Sequence, residues 1–329
     1  MGDILSIGMR GYIIRRVVQA VPLFFAIITF CFVLIHTAPG DPVVYLYGAI
    51  DIEPERLEVI RRQLGLDKPL YEQYLIYLSN ILHGDLGYSQ VNRELVIKLI
   101  IERLPATFLL MGSSFALSMT LGIFLGIYAA IHERSKFDYL ITAASLAGYS
   151  APVFWVGMMV ILVFSVHLGW LPTIGMTTLH ASYTGIYRVL DILHHLVLPS
   201  IVLGMWYLAT YARLTRTNML EVLKKDFITT ARAKGLGDKT IYYSHAFRNA
   251  MLPVITVIGM NIGHIVIGAV ITETVFSWPG IGSLLNAAIN MRDYTLLMGL
   301  FILTSISVIL ANLITDCIYA FIDPRIRYR

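Results

Sequence analysis

Long stretches without any charged side chain are the feature that most restricts how this chain can fold. Several of these apolar runs exceed 18 residues, a length that allows an α-helix to cross the hydrocarbon core of a bilayer. The chain is 57% hydrophobic and only 14% charged, whereas about a quarter of the residues in a soluble domain are charged. The sequence therefore excludes a purely soluble enzyme, a secreted disulfide scaffold and a disordered chain, and it predicts an all-α polytopic membrane protein.

The apolar runs predict six transmembrane helices. They cover residues 17–38, 106–131, 140–165, 196–212, 252–272 and 295–314. The first run resembles the core of a signal peptide, but its 22 residues exceed the usual length, so we expect a retained span. Pro152 lies within the third span and is expected to kink it, because proline removes a backbone hydrogen bond.

The distribution of basic residues predicts that both termini are cytoplasmic. Sixteen of the 25 Lys and Arg residues then fall in cytoplasmic segments, and the two short outer loops hold one each, Arg188 and Arg292. The remaining seven lie in the long first outer segment, which has little influence on orientation because of its length.

That outer segment, residues 39–105, is expected to fold as a small extracytoplasmic cap. Helical patterning and turn signals alternate along it, including Gly65 and Gly84. The alternative is a loop that merely joins two spans, although most loops are far shorter. The predicted domains are thus residues 1–38, the cap 39–105, and a membrane domain 106–329 that contains the cytoplasmic segment 213–251.

The cytoplasmic segment 213–251 carries the pattern of a helix–turn–helix. An apolar stripe recurs at helical spacing in its first half: Leu220, Leu223, Phe227 and Ala231. Gly235 can end the first helix in a left-handed conformation, and Gly237 gives the turn backbone freedom. Asp238 is suited to cap the start of a second helix. Because so short a helical pair cannot bury the stripe alone, it must pack on the spans or enter a partner's groove.

The predicted spans contain few polar residues that could take part in catalysis or binding. The sequence has no phosphate-binding loop and no HExxH, GxSxG or Cys/His metal motif, so we expect neither a catalytic site nor a metal site. Asn261, His264 and Glu273 are candidates for lining a pathway or gate, with interhelical hydrogen bonding or an interfacial position as the alternatives. His194 and His195 are expected to pack at the interface, with metal or proton contact as the alternative.

Several motifs together resemble one family. Thr230, Ala231, Arg232, Ala233, Lys234, Gly235 and Leu236, with Arg248-Asn249-Ala250-Met251-Leu252-Pro253 after them, resemble the cytoplasmic EAA loop of ABC importer permeases. Ala38-Pro39-Gly40-Asp41-Pro42, Gly84-Asp85-Leu86-Gly87 and Glu273-Thr274-Val275-Phe276-Ser277-Trp278-Pro279-Gly280 resemble its peptide/nickel branch, most closely the B-type subunit of dipeptide and oligopeptide permeases. The generic loop opens with an acid where this chain has Thr229.

The resemblance implies a complex in the bacterial cytoplasmic (inner) membrane. A second six-span permease subunit would complete the pathway, two cytoplasmic ABC ATPase subunits would bind ATP and Mg, and an extracytoplasmic binding protein would deliver substrate. The helix before Gly235 would be the coupling helix, seated on one ATPase. This chain itself would bind no cofactor and no nucleic acid, and its ligand would be a short peptide.

Two alternatives remain open at this stage. The same architecture also carries nickel or another chelate within the resembling branch. A different class, an ATP-independent secondary transporter, would be expected to show inverted repeats and buried ion-coupling acids, and neither is evident in the sequence.

Overall fold

A computed structural model describes residues 9–37, 58–59, 61–62, 65–89, 91–179, 181, 183–262 and 269–322, and these residues are mainly helical. The longer elements, in chain order, are α1 Met9–Thr37, α2 Leu70–Leu82, β1 Tyr88–Ser89, β2 Glu94–Leu95, α3 Val96–Ile131, α4 Lys136–Ser150, α5 Val153–Val160 and the π-helix π1 Ile161–His167. They are followed by α6 Gly185–Leu223, α7 Asp226–Ala233, α8 Asp238–Thr240, the π-helix π2 Ile241–Ala246, α9 Phe247–Ile262, α10 Val270–Val275, α11 Ile281–Asn290 and α12 Tyr294–Ile322.

Long apolar helices occur where the sequence predicts spans. Within the described residues, three are long and apolar enough to cross a membrane: Val96–Ile131, Gly185–Leu223 and Tyr294–Leu313. The bent pair α4 and α5 with π1 makes a fourth if it counts as one span. The predicted first span lies in α1 except for Ala38, and the predicted fifth falls partly on residues 263–268; Ala38 and residues 263–268 lie outside the described residues. The all-α membrane architecture is confirmed.

The third predicted span is broken rather than kinked. The segments Lys136–Gly148 and Val153–His167 meet at an angle of 105°. Ala151 and Pro152 both have extended backbones, with ψ values of 133° and 126°. Pro152 occupies the N-cap position of α5, where its missing N–H has no helical partner to lose. A single helix over residues 140–165 is therefore wrong.

The structure divides into two compact units, the first made of residues 1–105 and 280–329. Its main apolar cluster joins the first turns of α3, the helix α11 and the start of α12, and it contains Val96, Leu99, Ile100, Ile281, Leu284, Ala288, Leu296, Leu297 and Leu300. The β1–β2 hairpin is fastened to α12 by Asp293, which accepts a hydrogen bond from the Ser89 hydroxyl and caps the backbone N–H of Leu296. The described part of the predicted cap thus packs on other helices of its own unit.

The second unit, residues 106–279, is organised by close contact between α3 and α6. Small residues recur every fourth position on α3: Ser114, Ser118, Gly122 and Gly126. The Ser118 hydroxyl donates to the Gly204 carbonyl of α6 at 2.8 Å. A Cβ at Gly126 would stand 2.6 Å from the Ala212 carbonyl oxygen, and one at Gly122 would stand 2.9 Å from the Tyr211 Cβ. The two backbones approach too closely for larger side chains, as small-xxx-small contacts allow in membranes.

We predict that Gly126→Ala destabilises the protein although alanine favours helices. The added methyl would overlap the α6 backbone, and overpacking typically costs about 1–3 kcal/mol. Gly112→Ala is the matched control on the same helix, since a Cβ there meets nothing within 4 Å. The thermal unfolding midpoints of the two detergent-purified variants should fall for Gly126→Ala and hold or rise for Gly112→Ala. Equal midpoints would contradict the close contact.

Candidate functional site

The candidate coupling element is the short helix α7, and it is not a continuation of α6. The long helix ends at Leu223, and Lys225 then adopts an extended N-cap conformation with ψ 150°. The predicted apolar stripe from Leu220 to Ala231 crosses this break, so its phase is lost. Ile228 is fully buried, whereas Phe227 is 40% exposed. Phe227 therefore does not share a buried face with Ala231, and the prediction of one continuous apolar stripe is wrong.

The inner face of α7 rests on an apolar cluster within the second unit. Ile228 and Ala231 of α7 enter it together with residues of α3, the end of α6, π2 and α9: Ile127, Ala130, Met219, Val222, Ile241, Ala246 and Ala250. Leu220 and Leu223 pack against its edge. This burial explains how a helix of eight residues, too short to be stable alone, keeps one position.

The outer face of α7 and the turn after it are exposed. Of the seven residues predicted for ATPase coupling, Ala231 is buried, and the others are exposed: Thr230, Arg232, Ala233, Lys234, Gly235 and Leu236. Gly235 has φ +76°, and its N–H donates to the Arg232 carbonyl at 2.9 Å. The predicted left-handed stop is confirmed, since glycine adopts this conformation without the steric cost of a Cβ.

The second helix begins one residue earlier than the capping prediction implies. Gly237 occupies the N-cap position with φ −65°, and Asp238 lies in the first turn. Asp238 is therefore not the cap. An acid in the first turn still stabilises the helix, because it lies near the positive end of the helix dipole. Gly237 needs no special backbone freedom, because other residues adopt the same φ. The helix continues through π2 and α9 past Pro253 to Ile262.

Glu273, a predicted pathway or gate residue, is buried inside the second unit. Its side chain is fully enclosed, and it accepts a hydrogen bond from the Thr107 hydroxyl at 3.0 Å. Trp278 is also fully buried, and its indole N–H donates to the Ala106 carbonyl at 2.8 Å. The alternative of an interfacial acid beside an aromatic-belt tryptophan is thus wrong within this chain. The two hydrogen bonds tie the α10 region to the part of α3 near Ala106.

Asn261 forms the interhelical hydrogen bond that was the alternative to pathway lining. Its amide donates to the Tyr211 hydroxyl at 3.1 Å, joining α9 to α6. His264 lies outside the described residues. A pathway role for Asn261, His264 and Glu273 stays a prediction.

The two adjacent histidines sit at the predicted outer end of α6. His194 is within hydrogen-bonding distance of the Trp170 carbonyl, at 3.1 Å, and His195 lies 3.4 Å from Asp191. Asp191 also accepts from the backbone and hydroxyl of Thr178. These contacts hold the loop before α6. Among the residues that the structure describes, no three His, Cys, Asp or Glu side chains are grouped so that they could hold a metal ion.

An ion pair that the sequence analysis missed joins α4 to α6. The guanidinium of Arg216 contacts both carboxylate oxygens of Asp138, with Nη2 2.7 Å from Oδ2. Asp138 also accepts from the Arg134 backbone N–H at 3.0 Å, while its own N–H donates to the Ser135 hydroxyl at 3.1 Å. The spacing of Ser135-Lys136-Phe137-Asp138 indicates the start of α4, but it gives no sign of the pairing with Arg216, 78 residues further along the chain.

Comparison with known proteins assigns the chain to a family. Residues 122–328 match the family model described as binding-protein-dependent transport system inner membrane component, and residues 9–111 match the model for its N-terminal region. The chain is 42% identical to the di/tripeptide transport system permease protein DppB of Pseudomonas aeruginosa, over 98% of this chain and 100% of the relative.

Two further relatives extend the comparison. The oligopeptide transport system permease protein AppB of Bacillus subtilis is 41% identical over 97% of this chain and 100% of its own length. The glutathione transport system permease protein GsiC of Escherichia coli O6:H1 is 39% identical over 98% of this chain and 100% of its own length. The chain therefore belongs to the family of binding-protein-dependent transport system inner membrane components, as its motifs indicated.

Proposed function

We propose that this protein is a permease subunit of an ATP-driven importer of short peptides, and that it transmits the motion of a partner ATPase through α7. The proposal rests on the difference between the two faces of α7. Its inner face is buried against α3, α6, π2 and α9, while its outer face leaves a phenylalanine and basic side chains exposed. Such a face suits a groove on a partner subunit.

The substrate class is proposed from the relatives. Their names specify di/tripeptides, oligopeptides and glutathione, and all of these are short peptides. This agreement favours a peptide over nickel or another chelate. It also favours a multisubunit importer over an ATP-independent secondary transporter, because each relative is named as part of a transport system.

We propose the following arrangement in the inner membrane. The chain crosses the bilayer six times with both termini in the cytoplasm, residues 39–105 form the extracytoplasmic cap, and residues 213–251 form the EAA-type coupling loop within the domain 106–329. A second six-span permease subunit completes the pathway. Two ABC ATPase subunits bind ATP and Mg and carry out hydrolysis, so this chain itself has no catalytic residue and binds neither cofactor nor nucleic acid.

The proposed mechanism uses α7 as a rigid lever. When ATP closes the ATPase dimer, the paired α7 helices of the two permease subunits are drawn together. Because Ile228 and Ala231 are packed among α3, α6 and α9, those helices move with α7, and the pathway opens towards the binding protein. This is a rigid-body transition that ATP biases, and hydrolysis restores the inward-facing state.

We expect a tagged copy extracted in mild detergent to bring with it a second permease subunit and two ATPases, identified by mass spectrometry. Phe227→Ala should lower the yield of ATPases without loss of the permease pair, since Phe227 is exposed on α7. Tyr88→Ala is the matched control, an aromatic residue of β1 outside the coupling loop with a similar exposed fraction, 42% against 40% for Phe227. A chain that purifies alone under conditions that preserve other importers would overturn the proposal and revive the secondary-transporter alternative.

We predict that Gly235→Pro uncouples ATP hydrolysis from transport. Proline fixes φ near −65°, so it cannot adopt the +76° of Gly235, and the donation to Arg232 is lost. In proteoliposomes containing the full complex, stimulation of ATP hydrolysis by the loaded binding protein should fall about tenfold or more, as 1.4 kcal/mol corresponds to a factor of ten. Gly237→Pro is the control, because Gly237 already has φ −65°. Wild-type stimulation in the Gly235 variant would refute the coupling role.

We predict that the cap helps to dock the binding protein. Deleting residues 39–105 would also remove Val96, Leu99 and Ile100 from their apolar cluster, so a surface change is the cleaner test. Leu95→Glu alters an exposed side chain of the hairpin, and Leu179→Glu is the control in another exposed loop. Surface plasmon resonance on the assembled complex should show weaker docking for Leu95→Glu only. Unchanged docking in that variant would count against the prediction.

A further inference from the structure

The first half of α6 carries an apolar stripe that the described part of the chain leaves exposed. We define this α6 stripe by six residues, spaced three or four positions apart so that they share one face of the helix: Ile186, Leu190, Leu193, Val197, Ile201 and Met205. The six residues are between 37% and 65% exposed. The stripe is thus open along its whole length.

The other faces of α6 in this region are packed against the chain itself. Leu196 and Leu203 enter an apolar cluster that includes Leu110 of α3. Leu198 and Val202 belong to a second cluster, against which residues of α5 pack. The α6 stripe is therefore the face of the helix that the described residues leave for a neighbour.

The loop before α6 shows where the N-terminal end of this helix lies. The Trp170 carbonyl is 3.1 Å from a ring nitrogen of His194, and the Thr178 N–H donates to Asp191 at 2.8 Å. Residues 168–179, which make these contacts, form neither helix nor strand, and most of them are exposed. Exposed backbone of this kind does not occur in contact with lipid hydrocarbon. The loop and the turns of α6 that it contacts therefore lie outside the hydrocarbon core.

The N-terminal part of the α6 stripe extends further still from the hydrocarbon core. Ile186 and Leu190 precede Asp191 on α6, so they lie beyond the contacts with the loop. The length of α6 agrees with this position. Its 39 residues measure about 58 Å at 1.5 Å per residue, whereas the hydrocarbon core is about 30 Å thick. A continuous apolar surface outside the lipid tails marks an interaction site.

The continuity of the α6 stripe restricts what can cover it. Val197, Ile201 and Met205 lie in the predicted span 196–212. Lipid tails can cover these three residues, but they do not reach Ile186 and Leu190. An extracytoplasmic binding protein can reach the latter two, but it does not enter the bilayer. A second protein that crosses the same bilayer and rises above it can cover the whole stripe.

We propose that the α6 stripe is the surface on which the second permease subunit packs, with an apolar helix face of its own, an inference that rests on the proposed function. Within the bilayer, close van der Waals contact would hold the two helices together. Above the hydrocarbon core, the burial of Ile186, Leu190 and Leu193 would add a hydrophobic contribution. The partner helix should therefore be apolar along the same length.

The first experiment identifies what touches the α6 stripe in the assembled complex. The photo-crosslinker p-benzoylphenylalanine is introduced at Ile186, at Ile201 or at the control position Arg188 of a tagged chain that is produced with its whole transport system. Arg188 is exposed and lies two residues after Ile186, about 200° further around the helix. Native membranes are irradiated, and mass spectrometry identifies the adducts.

We expect the crosslinker at Ile186 and at Ile201 to form adducts with the second permease subunit, and the crosslinker at Arg188 to form none with it. Adducts with lipid alone at Ile201 would show a lipid-facing surface and overturn the inference. Adducts with the binding protein at Ile186, or with a second copy of this chain at either position, would also overturn it. So would the absence of any adduct at both positions.

The second experiment places a charge in the α6 stripe. Leu190 is 54% exposed in the chain alone, so Leu190→Glu should leave the fold intact, whereas in the complex it would bury an unpaired acid. Recovery of the second permease subunit with the tagged chain in mild detergent should fall about tenfold, which corresponds to about 1.4 kcal/mol. Arg188→Glu, an acid near the same level on the opposite side of α6, should leave recovery unchanged.

The outcomes separate this inference from the proposed function. Wild-type recovery of the second permease subunit in Leu190→Glu overturns the inference alone, and so does an equal loss in Arg188→Glu. A wild-type chain that purifies without a second permease subunit overturns the proposed function itself, and this inference with it.

Discussion

The contact between α3 and α6 is the interaction on which the second unit depends. Between helices in lipid there is no strong hydrophobic drive for association, so close van der Waals contact and interhelical hydrogen bonds must supply it. Gly122 and Gly126 bring the backbones together, and the Ser118 hydroxyl then reaches the Gly204 carbonyl. Since α6 continues beyond this contact to Met219 and Val222, which support α7, the position of α7 follows from the position of α6 against α3.

The existence of the long helices was predictable from the sequence, but their ends were not. Apolar runs report the length of a helix that lies in hydrocarbon, whereas a helix continues as long as its backbone hydrogen bonds can form. Helix α3 begins at Val96, ten residues before the predicted span. The charged residues Glu102 and Arg103 ended the apolar run, yet Glu102 pairs with Lys98, four residues earlier on the same helix, which suits an exposed helical turn.

In the candidate site, too, the features set by local sequence were predictable and those set by tertiary contacts were not. Gly235 was predictable because a left-handed stop depends on one residue and its neighbours. The inner stripe of α7 was not, because helical periodicity assumes an unbroken helix, and the extended backbone at Lys225 shifts the phase so that Ile228 replaces Phe227. The buried Glu273 accepts a hydrogen bond from Thr107, 166 residues away along the chain, and nothing in the local pattern indicates that pairing.

The breaks on both sides of α7 determine how it can act. A helix that continued α6 would be held by backbone hydrogen bonds, and a force on it would bend or twist the long helix. The extended N-cap at Lys225 and the left-handed turn at Gly235 interrupt that continuity. The position of α7 is then set by the packing of Ile228 and Ala231. Because packed side chains yield little to compression, a displacement of α7 is passed to α3, α6 and α9 together, which is what a rigid-body transition of these helices requires.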